Sequence, residues 1–261
     1  MLIKHLSEDI STAQIVFFRN IFALMLLPWV MSTQFALLKT QRIGLHFLRA
    51  TVGISGMACL YYAWGHLPLA QAALLKQTAP FFVPLIAFFW LAEKIDKTVL
   101  IAIVVGFLGV YFILRPEQGD INSAVLVALL GAMLGAFAKV IVRKLSSTEG
   151  ARIIVFYSGF FGSFIALIPA LYYWQNMTVE VLLWLLLLAV TSTIAQLSLS
   201  KAYRLSKAAV LAPFTYSSVF YAVLFGWLFW AESINYQTLI GITLIFCAGL
   251  IAYKANSAKT S

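Results

Sequence analysis

Negative charge is what this sequence has least of: nine Asp and Glu in 261 residues, against eighteen Lys and Arg. All nine fall between apolar runs or at their ends, so no acid pair stands inside an apolar stretch. Neither an HExxH helix nor a nucleophile elbow is written anywhere. The sequence therefore argues against an enzyme, and no catalytic residue, cofactor or metal ligand is expected. The absence of an acid inside the apolar runs also removes the usual group for proton or sodium coupling in a membrane. Cysteine occurs only twice, at Cys59 and Cys247, with neither a disulfide framework nor a metal spacing. Charged residues of both signs make up 10% and hydrophobic ones 62%, whereas a soluble domain has about 25% and 45 to 50%. A mean hydropathy of +0.95 belongs to a chain whose main solvent is lipid.

The net charge of +9 does not point to nucleic acid, because the basic residues are scattered at the ends of apolar runs and form no patch with interleaved aromatics. The runs are too long and too uniform for barrel strands, which need about 10 residues of alternating polarity. A helix needs about 20 residues to cross roughly 30 Å of hydrocarbon. The expectation is an all-α, polytopic membrane helix bundle with nine spans, at 13–31, 46–64, 69–91, 98–114, 122–140, 153–173, 181–200, 208–230 and 237–253.

Sidedness follows from Lys and Arg, which favour cytoplasmic loops. Lys39, Arg42, Arg49, Lys94, Lys97, Arg143, Lys144, Arg152, Lys201, Arg204, Lys207, Lys254 and Lys259 fall on one side of the nine-span plan, and only Lys4 and Arg115 in loops on the other. The expected location is the cell membrane, cytoplasmic or inner, with the C-terminus in the cytoplasm. No cleavable signal follows Met1, since the first long apolar run holds Arg19 and lacks a small-residue cleavage site.

An internal repeat organises the chain. A shift of 139 residues lays 63–96 on 202–235 without a gap, matching Ala70 with Ala209, Phe81 with Phe220, Ala92 with Ala231 and Glu93 with Glu232. The same shift pairs Ile15-Val16-Phe17 with Ile154-Val155-Phe156. Two repeats are expected, 1–116 with four spans and 117–261 with five. The span at 122–140 has no partner, so the plan reads as five plus five with the first helix lacking, through truncation or a misplaced start. An odd number of spans per repeat inverts the second half relative to the first, the architecture of secondary transporters.

These residues resemble the drug/metabolite transporter superfamily, EamA type. The resemblance rests on Arg19 in FFRNIFALMLLP, Leu48 to Ala50, HLPLAQAALL followed by Pro80, GFLGVYFILRP ending at Pro116, and the pairs Ala92-Glu93 and Ala231-Glu232, where the family usually has Gly-Glu. It implies ten helices in two repeats with both termini cytoplasmic, and a transport function with no substrate specified. The APFTY stretch, Ala212 to Tyr216, is similar to a subgroup with S-adenosylmethionine and riboflavin carriers, which stands as an alternative.

The stretch LLKQTAPFFVP, 74–84, is the main functional signal. It puts Lys76, Gln77 and Thr78 inside an apolar span, with Lys76 in the outer third of the hydrocarbon. A lysine at the centre costs about 2.5 to 3.5 kcal/mol, whereas one near an end can snorkel, and Lys76 reads equally as an ammonium group reaching the outer surface. Pro80 and Pro84 each remove a backbone hydrogen bond, and freed carbonyls in hydrocarbon are tolerated where they line a cavity. The repeat sets Thr215, Tyr216 and Ser217, beside Pro213, at the matching place. The two broken helices are expected to form the outer and inner parts of one substrate path, with Gln196 (on a face with Thr193 and Ser200), Tyr203 and Tyr62 as further wall residues. Lys76 would attract an anionic group.

Tyr61, Tyr62 and Trp64 also read as an interfacial belt and Gln196 as a helix-to-helix bond. Arg19 reads as snorkelling to the outer surface, Lys139 as a neighbour of the inner basic loop, and Glu93 and Glu232 as junction residues before the N-caps Asp96 and Asn235. His66 is the only histidine expected near the path. The apolar spans 98–114 and 237–253, with Gly106, Gly109, Gly241 and Gly249, are candidates for the periphery or a homodimer contact. The partners expected are a small-molecule solute and the bilayer, with no nucleic acid. The competing class is a non-transporting membrane subunit or an inactive truncated product.

Overall fold

The computed structural model describes residues 2–30, 40–92, 95, 97–114, 122–146, 148–149, 151–205, 217–232 and 236–257. Among these there is no strand. The helices are α1 (Leu2–Asp9), α2 (Thr12–Val30), α3 (Ile43–His66), α4 (Leu69–Lys76), α5 (Ala79–Leu91), α6 (Lys97–Leu114), α7 (Ser123–Ser146), α8 (Ala151–Tyr172), α9 (Val179–Leu205), α10 (Ser217–Trp230) and α11 (Tyr236–Ser257). Ile43–His66, Leu69–Trp90, Ser123–Val142 and Ile153–Tyr172 are long and apolar enough to cross a membrane. Shorter apolar helices, Thr12–Met25, Lys97–Phe112, Val179–Ala195, Tyr221–Trp230 and Leu239–Ile251, fall on the other predicted spans.

Local chemistry starts several of these helices. Ser11 Oγ accepts the Gln14 N–H at 3.3 Å, and Asn122 Oδ1 and Thr178 Oγ1 accept from Ala124 and Val181 at 2.9 and 3.3 Å. Each satisfies one of the amides that a helix start leaves unpaired. Gln14 is fully buried; its amide donates to the Gln175 carbonyl at 2.9 Å and accepts the Gln175 N–H at 3.1 Å. That double bond fastens the start of α2 to the segment after α8.

The 139-residue offset reappears in three dimensions. α2 and α8 begin 139 residues apart and pack together, and so do α6 and α11. The contact of α2 with α9 has its counterpart in that of α3 with α8. Ala92 and Ala231, at the same offset, hold left-handed backbones with φ of 54° and 49°. Where glycine would be at ease, an alanine here costs on the order of 1 kcal/mol. In α5 this residue ends the helix by donating its N–H to the Ala87 carbonyl.

Packing between helices relies on small residues, as it must where lipid offers no hydrophobic advantage to association. A Cβ on Gly56 of α3 would stand 3.1 Å from the Gly131 carbonyl of α7, so these backbones meet directly. α6 and α11 meet the same way, with a Cβ on Gly109 standing 3.0 Å from the Gly241 carbonyl. Those two glycines serve a contact within one chain and call for no dimer. The remaining faces of this pair, including Leu100, Val104, Leu108, Leu239 and Phe246, are exposed, as suits a lipid-facing surface.

Candidate substrate path

The span at 69–91 is interrupted where the sequence suggested. α4 stops at Lys76 and α5 starts at Ala79; between them Gln77 and Thr78 form a tight turn in which the Thr78 N–H bonds the Leu75 carbonyl at 3.1 Å. Pro80 sits in the first turn of α5, where its missing N–H costs nothing, while Pro84 lies inside the helix and leaves one carbonyl without its helical partner. α10 starts at Ser217, the offset position of Thr78.

The break distributes its polar side chains. Gln77 Nε2 donates to Ser218 Oγ of α10 at 3.1 Å, one residue past the second predicted cluster. Lys76 places its Nζ 5.3 Å from the centroid of Trp64 on α3. Thr78 turns away; it is fully buried and donates to the Leu75 carbonyl at 2.6 Å, which uses its hydroxyl inside its own turn. Tyr62 stacks on His66 at 3.9 Å in the last turn of α3, and His66 Nδ1–H donates to the Tyr62 carbonyl at 2.8 Å. The side chains of Gln196, Tyr203 and Ser217, together with Tyr216 and Pro213 as a whole, lie outside the described residues, as do Glu93, Asp96 and Asn235.

Three cations prove to be deeper, or differently engaged, than their sequence positions suggested. Lys139 stands seven residues before the end of α7, about 10 Å along the helix. α7 packs against α4, which carries Lys76. Both lysines are exposed and yet surrounded by protein on most sides. Arg49, counted from the sequence on the inner side of the span 46–64, lies six residues inside α3 and hydrogen-bonds Ser158 Oγ of α8. Arg19 Nη1–H contacts Asn20 Oδ1 and Met57 Sδ, both at 3.4 Å. Among the described residues none of these four cations is in an ion pair.

Carboxylates are found instead at the two ends, each joining distant parts of the chain. On the side predicted to be outer, Glu232 pairs with Lys4 and accepts the Leu69 N–H at 2.8 Å, and Lys4 also lies 5.4 Å over the Trp230 ring. On the predicted inner side, Glu149 accepts from Thr40 Oγ1 and from His46 Nε2–H, the latter at 2.8 Å. His46 is fully buried and rests against Tyr157, ring centroids 4.8 Å apart. Burial alone would raise the Glu149 carboxyl, but the Thr40 and His46 hydrogen bonds and the charges of His46 and Arg42 outweigh it and hold the group below its ordinary value. His46, and not His66, thus hydrogen-bonds a distant segment, a pairing across 103 positions that no local signal announces.

The EamA-like transporter family model matches residues 1–115 and 122–253. The chain is 32% identical over 252 residues to the pseudopaline exporter CntI of Pseudomonas aeruginosa strain UCBPP-PA14, covering 95% of this chain and 88% of that one. It is 27% identical over 259 residues to the S-adenosylmethionine uptake transporter of Rickettsia bellii, covering 98% and 89%. Against the riboflavin transporter of Vibrio cholerae it is 32% identical over 194 residues, covering 73% and 65%. A solved crystal structure superimposes with a TM-score of 0.61 at 13% identity, over 92% of this chain and 86% of that one, a likeness of fold.

Proposed function

The chain belongs to the EamA-like transporter family and is a multi-pass membrane transporter; from that premise we propose that it carries a small polar metabolite with an anionic group, by alternating access between two inverted halves. The observation that carries the reading is that α4 and α7, which pack together, each carry a lysine within the span, Lys76 and Lys139. Two ammonium groups held near one another inside a membrane repel, and each pays for lost hydration. An anion between them removes both penalties. Trp64 beneath Lys76 and the Gln77–Ser218 bond supply an aromatic face and a polar wall for the rest of the cargo.

The alternating-access part is supported by the recurrence of helix starts, packing partners and left-handed alanines at one offset, since two equivalent halves can exchange conformations. The C-terminus is cytoplasmic in this reading, because the basic loops gather on its side. A lining of cations disfavours a cargo whose charge is purely positive. It leaves open an amino-acid-like compound, whose carboxylate would meet the lysines.

Lys76→Ala tests the proposal. Cells making the intact chain should shift the pool of at least one anionic metabolite between cytoplasm and medium, and cells making equal membrane levels of Lys76→Ala should not. An undiminished shift in the variant rejects the assignment. A chain that moves no solute in either form, yet copurifies with a fixed protein partner, would instead be a non-transporting subunit.

A further inference from the structure

α4 does not cap its own start. It begins at Leu69 after Pro68, and no side chain of its own segment bonds the amides there, which a helix start leaves unpaired. The cap comes from the opposite repeat: Glu232, just past the end of α10, accepts the Leu69 N–H at 2.8 Å. A carboxylate in that place also meets the positive end of the helix. The backbone of α10 fixes its seat, since Ala231 is left-handed and the Glu232 N–H returns to the Gly226 carbonyl at 3.1 Å. A Cβ on Gly226 would collide with the Glu232 carboxylate. The Lys4 ammonium then closes over the contact, bonded to Glu232, 3.5 Å from the Leu67 carbonyl and 5.4 Å over the Trp230 ring.

At its other end α4 is tied to α10 again, by the 3.1 Å bond from Gln77 to Ser218. The two helices pack together, and Ala222 of α10 lies against the core that contains Ala72 to Leu75 of α4. The two broken helices are thus pressed together over the outer part of the proposed path, and a solute passing there has to part them. A cap supplied by the other repeat lasts only while they touch, so it favours one conformation over the other, as a conformational equilibrium requires. The 139-residue offset lays Lys4 on Arg143 and Glu232 on Glu93, two side chains outside the described residues. The same pair of charges is therefore written once more on the predicted inner side. We infer that Lys4 and Glu232 form the outer gate of the transport cycle, closed in this structure: Glu232 holds α4 against α10 by capping it, and Lys4 locks Glu232 in place. The gate rests on the alternating-access part of the proposed function and is independent of the role given to Lys76.

The test reads access from outside. In the full chain with Cys59→Ala and Cys247→Ala, a single cysteine replaces Ala222, and intact cells are treated with a charged, membrane-impermeant methanethiosulfonate before lysis. Labelling of Ala222→Cys should be slow, and should rise roughly tenfold when Glu232→Gln or Lys4→Gln is added. Lys4→Gln and Glu232→Gln together should label no faster than Glu232→Gln alone, because both break one contact; additive increments would show that Lys4 is not its lock. A cysteine at Ala166, buried in a different core with Val16 and Leu185, serves as the control. A matching rise there would mean a loosened fold and would overturn the gate, as would fast labelling of Ala222→Cys before either charge is removed. Labelling that ignores both substitutions while the intact chain still transports overturns the gate alone. A chain that moves no solute in any form overturns the proposed function, and the gate with it.

Discussion

Charge is handled in opposite ways at the ends of this bundle and in its middle. At the ends each described carboxylate that binds another segment has found donors: Lys4 and the Leu69 amide for Glu232, Thr40 and His46 for Glu149. In the middle the described contacts of Arg19, Arg49 and Lys76 are with neutral groups and an aromatic ring, and Lys139 is in no ion pair among the described residues. Paired charges fasten parts of the fold that are far apart in the chain. Under the proposed function, charges of one sign with no ion pair among the described residues are relieved by an incoming anion, which is the differential interaction a ligand needs in order to shift a conformational equilibrium.

The largest effect expected from breaking this contrast is in the middle. Lys76→Ala should reduce transport on the order of 100-fold, the worth of a charge-assisted contact, with insertion into the membrane unchanged, as measured by uptake per unit of protein. Lys139→Gln should give a smaller loss in the same assay, since Lys76, over the Trp64 ring and beside the Gln77–Ser218 bond, remains to meet the cargo. At the outer end the readout changes from transport to stability. Glu232→Gln leaves Lys4 without its carboxylate and weakens the acceptor of the Leu69 amide, at a cost of about 2 kcal/mol seen as a lowered unfolding midpoint.

The inner end adds a dependence on acidity. The Glu149 carboxyl lies below its ordinary value in the folded chain, so its stabilising contribution is complete above the usual carboxylate value of about 4 and fades as the pH falls through the lower folded value. Unfolding midpoints measured from neutral to acid pH should lose this component in Glu149→Gln. The smallest effect sharpens the repeat itself: Ala92→Gly and Ala231→Gly, each relieving a left-handed alanine, should each stabilise the chain by up to about 1 kcal/mol.

Much of this was written locally and so could be read locally. Apolar run lengths placed the helices, and the break at Gln77 followed from a polar triplet ahead of Pro80. The 139-residue offset matched Ala92 with Ala231, but that both hold left-handed backbones was not read from the sequence. Depth was harder. Arg49 and Lys139 were assigned to the inner surface because they lie near the ends of apolar runs, whereas α3 and α7 continue past them as helix for six and seven residues. Arg19 was read as reaching outwards, since nothing in its own neighbourhood reveals that Met57 stands across from it. The His46–Glu149 bond joins segments that meet only after folding, as does Lys4 with Glu232.

The contrast between middle and ends is decided most directly by one unfolding experiment on the empty, delipidated protein, with Lys76→Met and Glu232→Gln side by side. The account predicts that removing the interior charge leaves the midpoint unchanged or higher, while removing the outer carboxylate lowers it. A Lys76→Met midpoint that falls as far as that of Glu232→Gln would show the interior lysine to be a structural group, and would contradict the account.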